Sequence, residues 1–245
     1  MRFDVITLFP DIIDGAFSDS IPKRAGNKGI ISINTVNPRD FTLDKHKKTD
    51  DTPYGGGAGM VLSCQPFIDA LRSVETCDNS EIIIMTPQGE RFSQKIAEEF
   101  SNKNQLKIIC GHYEGFDERI RILSKAREIS LGDFVLSGGE YSAICIIDAV
   151  SRLIDGTLGN SESKEYDSHS EYLLEYPQYT KPRIYEDLEV PEILLSGNHE
   201  KIAKWRRLKQ FEKTKKVRPD LFSKFLKTEL SKEDKKILKN LIDNI

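Results

Sequence analysis

Through residues 1–159, short apolar runs rich in Val, Ile and Phe alternate with segments of helical spacing, and few folds accept that alternation. The strand-like runs fall at 3–9, 30–36, 81–86, 106–110 and 134–136. Between several of them, 65–74, 93–100, 117–123 and 140–153 carry apolar residues at helical intervals, the last with Ala143, Ile144, Ile147 and Val150 on one face. Strands that alternate with helices predict an α/β fold. A crossover helix returns the chain to start the next strand in the same direction, so the sheet is mostly parallel and helices cover both faces.

Beyond Gly156 the alternation stops. Residues 159–170 are Gly, Asn, Ser, Glu, Lys, Tyr, Asp and His with almost no apolar anchor, and they read as a mobile linker. From Pro191 only helical patterns remain, at 200–213, 219–226 and 231–242. The last opens on Ser231 with Asp234 three residues on, a capping arrangement for the free N–H groups of a first turn. The expected organisation is an α/β domain at 1–159, a linker at 160–170 and a small helical domain at 171–245.

Charge divides along the same line. The net charge is −3, yet residues 199–245 carry 15 Lys and Arg against 7 Asp and Glu, a net of +8 that leaves −11 on residues 1–198. A basic tail on an acidic body is read either as a surface for a polyanionic partner or as a solvated helical face. No apolar run approaches the roughly 18 residues that span a bilayer, and a strand-like start leaves no secretory signal, so no membrane is expected and the cytoplasm is the expected location. Cys64, Cys77, Cys110 and Cys145 form no CxxC pair and have no His at metal-ligand spacing. Neither a zinc site nor a disulfide framework is expected, and each thiol, in or beside an apolar stretch, is expected to be buried.

Three glycine-rich loops follow strands: Thr86-Pro87-Gln88-Gly89, Cys110-Gly111-His112-Tyr113-Glu114-Gly115, and Ser130 through Glu140. In an open α/β sheet the ligand crevice lies past the carboxyl ends of the strands, and glycine lets backbone approach a ligand closely. One such loop is only a turn; three together can wall one pocket. None is GxGxxG opening a helix and none is GxxxxGK[ST], which argues against a dinucleotide fold and a P-loop. A fourth cluster, Tyr54-Gly55-Gly56-Gly57-Ala58-Gly59-Met60, fits a phosphate cradle, a close contact with a partner chain or nucleotide, or a flexible loop.

Six segments, in order and spacing, carry a resemblance to a known family: Ile6-Thr7-Leu8-Phe9-Pro10, Pro38-Arg39-Asp40-Phe41, Asp51-Thr52-Pro53-Tyr54-Gly55-Gly56-Gly57, Gly111 through Arg119, Gly132 through Glu140, and Leu194-Leu195-Ser196-Gly197-Asn198-His199. Across nearly its whole length the chain resembles the TrmD family of tRNA (guanine-N1)-methyltransferases. The resemblance implies a SPOUT-type α/β domain with a deep trefoil knot, followed by a tRNA-binding helical domain. It implies a homodimer that moves a methyl group from S-adenosylmethionine to N1 of guanine 37 in tRNA.

By the same resemblance the three glycine loops are the knot and hold S-adenosylmethionine. The matching positions are Pro87, Gln88, Gly89, Gly111, Tyr113, Glu114, Ser130, Leu131, Gly132, Asp133, Phe134, Val135, Leu136, Ser137, Gly138 and Gly139. Tyr141-Ser142 departs from the Leu-Pro common in relatives, at the rim. Removing the N1 proton needs a base, and charge gathering on O6 needs a cation. The resemblance gives Asp167 as base and Arg152 as stabiliser; His169, two residues from Asp167, is the alternative base although the family pattern does not require it, and His46 and His112 read as contacts at most. It also implies magnesium dependence, with Glu114 a participant. Lys201, Lys204, Arg206, Arg207, Lys209, Lys213, Lys215 and Lys216, dense around Trp205, suit phosphate contacts beside an aromatic that stacks on a base or packs as core.

Overall fold

A computed structural model describes residues 1–158, 168, 169 and 171–243 of the 245. The chain divides into two compact units, Met1–Ser161 and Glu162–Ile245.

In the first unit β1 (Arg2–Ile6), α1 (Pro10–Ala16), α2 (Ser20–Asn27) and β2 (Ser32–Val36) come first. A two-residue pair, β3 (Asp50–Asp51) and β4 (Val61–Leu62), precedes α3 (Cys64–Ser73). Then follow β5 (Ser80–Arg91), α4 (Gln94–Ser101), β6 (Gln105–Cys110), α5 (Glu118–Ser124), β7 (Arg127–Ser130) and α6 (Glu140–Ser151). Five strands form one sheet in the order β2-β1-β6-β5-β7, and every pairing is parallel.

Period-two alternation sends side chains to two cores. Phe3, Val5, Ile83, Met85, Leu106 and Ile108 meet α1, α2, α4 and α6 on one face. Ile6, Ile84 and Ile109 meet Phe67, Ile68 and Leu71 of α3 and Ile120 of α5 on the other. Two charged side chains sit within the central strands. Asp4 accepts from Arg2 (2.9 Å), Asn34 (3.2 Å) and Gln105 (2.6 Å), while the Lys107 ammonium donates to the Val74 carbonyl and the Thr76 hydroxyl, both at 2.7 Å. Burial lowers the Lys107 pKa, as expected when a charge loses water.

Three local expectations are corrected. Residues 134–136 are not a strand: the fifth strand is β7, and a Ser130–Gly132 turn (Gly132 N–H to Ser130 Oγ, 3.3 Å) throws Phe134 and Val135 outward, 54% and 84% exposed. Helices α1 and α2 occupy ground where the sequence reading placed none; Pro10 opens the first and Asp19 caps the second. Of the cysteines only Cys110 is buried, Cys64 and Cys77 are half-buried, and Cys145 is exposed on the side of α6 away from Ile146 and Ile147; all four are free thiols.

In the second unit, residues 171–190 contain no helix. They carry a short antiparallel hairpin of β8 (Ile184–Tyr185) and β9 (Leu188–Glu189), so the expected helical pattern begins only after it. Helices α7 (Glu192–Leu195), α8 (His199–Val217), α9 (Pro219–Phe225) and α10 (Lys232–Asp243) follow. Asn198 caps α8, and the Ser231 hydroxyl accepts from the Asp234 N–H at 3.0 Å as the sequence predicts. The core is small: Leu173, Phe211, Phe222, Phe225 and Leu238. Arg207 lies over the rings of Phe211 and Phe225 and donates to Asp234 (2.8 and 3.1 Å) and Glu171 (2.8 Å). No helix among the described residues is long and apolar enough to cross a membrane.

Candidate active site

Strands β6, β5 and β7 are neighbours, so their carboxyl ends bring the three glycine loops together around one cleft of about 250 Å³. The first wall is an interruption of β5. Met85 and Glu90 both pair with Ile129, so Thr86, Pro87, Gln88 and Gly89 leave the ladder as a bulge. Pro87 has no N–H to donate and is tolerated there because the ladder does not need one.

The second wall turns on Tyr113, a non-glycine residue with φ 57°, and on Gly115 with φ 111°. It is pinned from outside: the Glu114 N–H donates to Met60 O (3.1 Å) and Leu62 N–H to Gly115 O (2.9 Å), which ties the loop to β4. Gly59 is where the glycine cluster meets this wall, since a Cβ there would collide with the Glu114 side chain. Asp117 then caps α5, accepting from the Arg119 N–H at 2.9 Å, and the Arg119 guanidinium holds its carboxyl below the ordinary range.

The third wall runs from Ile129 to Gly139 and is laced to the second by Gly139 N–H to Gly111 O at 2.8 Å. Glycine at these crossings serves backbone packing. A Cβ on Gly139 would stand 2.9 Å from Gly111 N and 3.0 Å from Cys110 Cα; one on Gly89 would stand 2.5 Å from Glu128 C and Ile129 N. Both spaces are filled by neighbouring backbone. Below the loops, buried Glu140 opens α6 and accepts from the Thr7 hydroxyl at 2.7 Å. Burial, with the charge of Glu140 nearby, pushes the Cys110 thiol well above its ordinary range, so it is no nucleophile.

Fourteen of the sixteen residues expected to hold a cofactor line this cleft; Gly89 and Asp133 do not. Gly89 is at the strand crossing, and Asp133 is exposed with its carboxylate 3.9 Å from Arg91. The cleft also takes in Met85, Ile129 and Arg121, which sequence reasoning missed, together with Thr86 of the first loop, Phe116 and the rim residue Ser142. Ile129 was hidden because its strand was, and nothing in the spacing of α5 marks Arg121. His112 lines the cleft between the rings of Phe9 and Tyr113, and its buried Nδ1 has no hydrogen-bond partner within the described chain.

Arg152 is not in this cleft. It ends α6, whose first residue follows Gly139, and at 1.5 Å per residue that is roughly 20 Å along the helix from the third wall. Asp167 lies outside the described residues. His169 is exposed in a turn, with its N–H donating to Leu173 O at 2.8 Å. The exposed His46 lies within a loop, where its N–H donates to Asp44. Of the basic residues on α8, Arg207 is withdrawn into the core clasp, Lys209 pairs with Glu212, Lys204 pairs with Glu200, and Arg206 covers the Tyr176 ring at 4.8 Å. Lys201, Lys213, Lys215 and Lys216 are exposed and make no ion pair among the described residues.

A parallel sheet with a cleft past the carboxyl ends of three adjacent strands, walled by backbone and apolar side chains, defines an α/β protein with a small-molecule site. Comparison narrows that class. The chain belongs to the TrmD family of tRNA (guanine-1)-methyltransferases, whose family model matches residues 1–224. It is 54% identical over 240 residues to a tRNA (guanine-N(1)-)-methyltransferase of Clostridium botulinum (strain Hall), covering 98% of each chain. Proteins of the same description from Caldicellulosiruptor saccharolyticus and Staphylococcus carnosus are 53% and 50% identical, over 96% and 98% of this chain and 94% and 97% of theirs.

Proposed function

We propose that the chain is a tRNA (guanine-N1)-methyltransferase that moves a methyl group from S-adenosylmethionine to N1 of guanine 37, working in the cytoplasm as a homodimer with a knotted cofactor site. The carrying observation is the convergence of all three glycine loops on one cleft. The close crossings of Gly89 on Glu128–Ile129 and of Gly139 on Gly111 support the trefoil reading of those loops.

The cleft fits the methyl donor. Pro87, Ile129 and Leu136 offer apolar faces to an adenine, loop backbone offers groups to its edge, and the orphaned His112 Nδ1 is a buried polar atom facing the need for a partner. When bound, S-adenosylmethionine supplies an electrophilic methyl on its sulfonium. Asp167 takes the N1 proton and Arg152 holds the charge that gathers on O6. The roughly 15 Å of helix rise between Ser142, at the cleft, and Arg152 supports a two-chain site, each cleft served by the second copy's Arg152 and Asp167. Glu114 lines the cleft, but among the described residues no three His, Cys, Asp or Glu converge to hold a metal, so no step is assigned to magnesium. Single-turnover rates unchanged by EDTA would remove it from the reading.

A ribose methyltransferase would have no N1 proton to remove, and a binding module would hold the donor without turnover. Single-turnover transfer from labelled S-adenosylmethionine separates the three. The expected outcome is label on tRNA with guanine 37 and none on the same tRNA with adenine there; equal labelling of both overturns the reading. Light scattering is expected to give a dimer at micromolar concentration, and a fully active monomer would refute the two-chain site.

A further inference from the structure

The second unit holds a slot of about 620 Å³ between α7, α8 and α10 that adjoins its core through Ile237. Helix α8 turns Phe211 and Thr214 into the core, while Trp205 and Leu208, on another of its faces, line the slot with Ile193 and Ile237. All four are only half-buried, so the slot presents an apolar floor to solvent. Its rim is cationic. Lys201, Lys204, Lys232 and Lys236 stand around it against one carboxylate, Glu233. Lys204 is committed to Glu200 and lies 3.6 Å from Glu233, but the other three make no ion pair among the described residues.

We propose that this slot binds an unpaired nucleobase of an RNA, stacked on Trp205, with Lys201, Lys232 and Lys236 holding the adjoining phosphates. The inference rests on the reading that the chain acts on tRNA. The charge pattern selects the occupant. A flat apolar body with an anionic edge satisfies both floor and rim, whereas an apolar helix would strand the ammonium groups and an inorganic anion would leave the indole bare. The volume lies within the roughly 300–1,000 Å³ of small-ligand clefts, enough for a base with its sugar. Tyr179 packs beside Trp205 at 6.5 Å between ring centroids and Arg206 covers Tyr176, so aromatic and cationic groups continue alongside the slot.

Trp205 is the sole tryptophan in the chain, so tryptophan emission, excited at wavelengths that tyrosine does not absorb, reports this slot. Titrating the full-length protein with an unmodified tRNA transcript is expected to quench the emission saturably. Trp205→Ala is expected to raise the tRNA Kd roughly 5- to 150-fold, the effect of losing one stacked base. Cofactor affinity and the circular dichroism spectrum should stay unchanged, and Trp205→Phe should restore most of the tRNA affinity. Should Trp205→Ala fail to fold, the surface pair Lys201→Ala with Lys236→Ala carries the same test, by lowering the salt slope of tRNA binding by about 1.4 if both meet single-stranded phosphates. Saturating tRNA that is bound and methylated while the emission stays constant overturns the slot and leaves the methyltransferase reading intact. A Trp205→Ala Kd within twofold of wild type does the same, as does an emission shift on dilution without RNA, the mark of a slot covered by a second copy. Wild-type protein that binds no tRNA overturns both.

Discussion

The two units are held together by different physics. The first packs both faces of its sheet, with Phe67 set edge-on against Phe116 at 5.7 Å in one core and Phe3, Phe100 and Ile147 buried in the other. The second, among the described residues, gathers a core cluster of five buried apolar residues and clasps it with a half-buried arginine shared between Asp234 and Glu171. Apolar burial is indifferent to salt and pH, while an ion-pair clasp is sensitive to both. The division suits the proposed roles: a cleft for a small cofactor needs walls that do not move, and a surface for a long polyanion needs cations on a compact scaffold.

The sharpest test of the first half of this contrast is Phe67→Ala. It should cost about 3–5 kcal/mol by leaving a cavity under α3, with little change between low and high salt. A loss below 1 kcal/mol in denaturant titrations would mean that the core is not what holds the sheet.

The chemical division is tested next. Asp167→Ala should slow single turnover by a factor on the order of 10² to 10⁴ and leave S-adenosylmethionine affinity almost unchanged, because the cleft proposed to hold the donor is built from residues 85–142. A rate within about threefold of wild type would eliminate Asp167 and turn attention to His169. Arg152→Ala should slow the same step by roughly 10² to 10³.

Gly139→Val probes how rigid the cleft is. The valine would be driven into Gly111 and Cys110, an overpacking of about 1–3 kcal/mol that moves the second wall. Cofactor binding and melting temperature should therefore fall together. Lost binding at an unchanged melting temperature would show that the side chain fills ligand space after all.

The smallest effect belongs to the clasp. Burial opposes ionisation of Asp234, but its hydrogen bonds from Arg207 outweigh that and hold its pKa below the ordinary 3.8. A carboxylate depressed in the folded state stabilises fully above its unfolded pKa, and that contribution is lost as pH falls below 3.8 through the folded value. Asp234→Asn should cost about 2 kcal/mol at neutral pH, and the variant's stability should change less than wild type's on acidification. Parallel acid profiles for the two proteins would show that Arg207 does not depend on Asp234.

Much of the first unit was legible because its elements repeat a simple period. Residues 106–110 and 81–86 read as strands, and they are two of the three inner ones, where apolar runs are long. The edge strand β7 was not legible: Arg-Glu-Ile-Ser offers one apolar residue, and Arg127 spends its side chain on Glu90 and Glu99. Phe134-Val135-Leu136 looked more like a strand than the strand itself, yet among the described residues no strand pairs with it. In the candidate site the loops were visible as glycine clusters, but Arg121 and Ser142 face the cleft only because helices carry them there.

What the sequence alone determined is what depends on near neighbours: the faces of the helices, the caps at Asp117, Asn198 and Ser231, the charge division between body and tail, and the motif order that marks the family. The tertiary structure decided which of those features meet. That Gly89 lies against Glu128 and Gly139 against Gly111, that Arg207 is a clasp while its neighbours stay at the surface, and that Trp205 floors a slot all depend on contacts between residues far apart in the chain. Periodicity encodes which side of an element is apolar, because that is set every two or 3.6 residues. The distance between two backbones that cross is fixed only when the whole chain has closed around them.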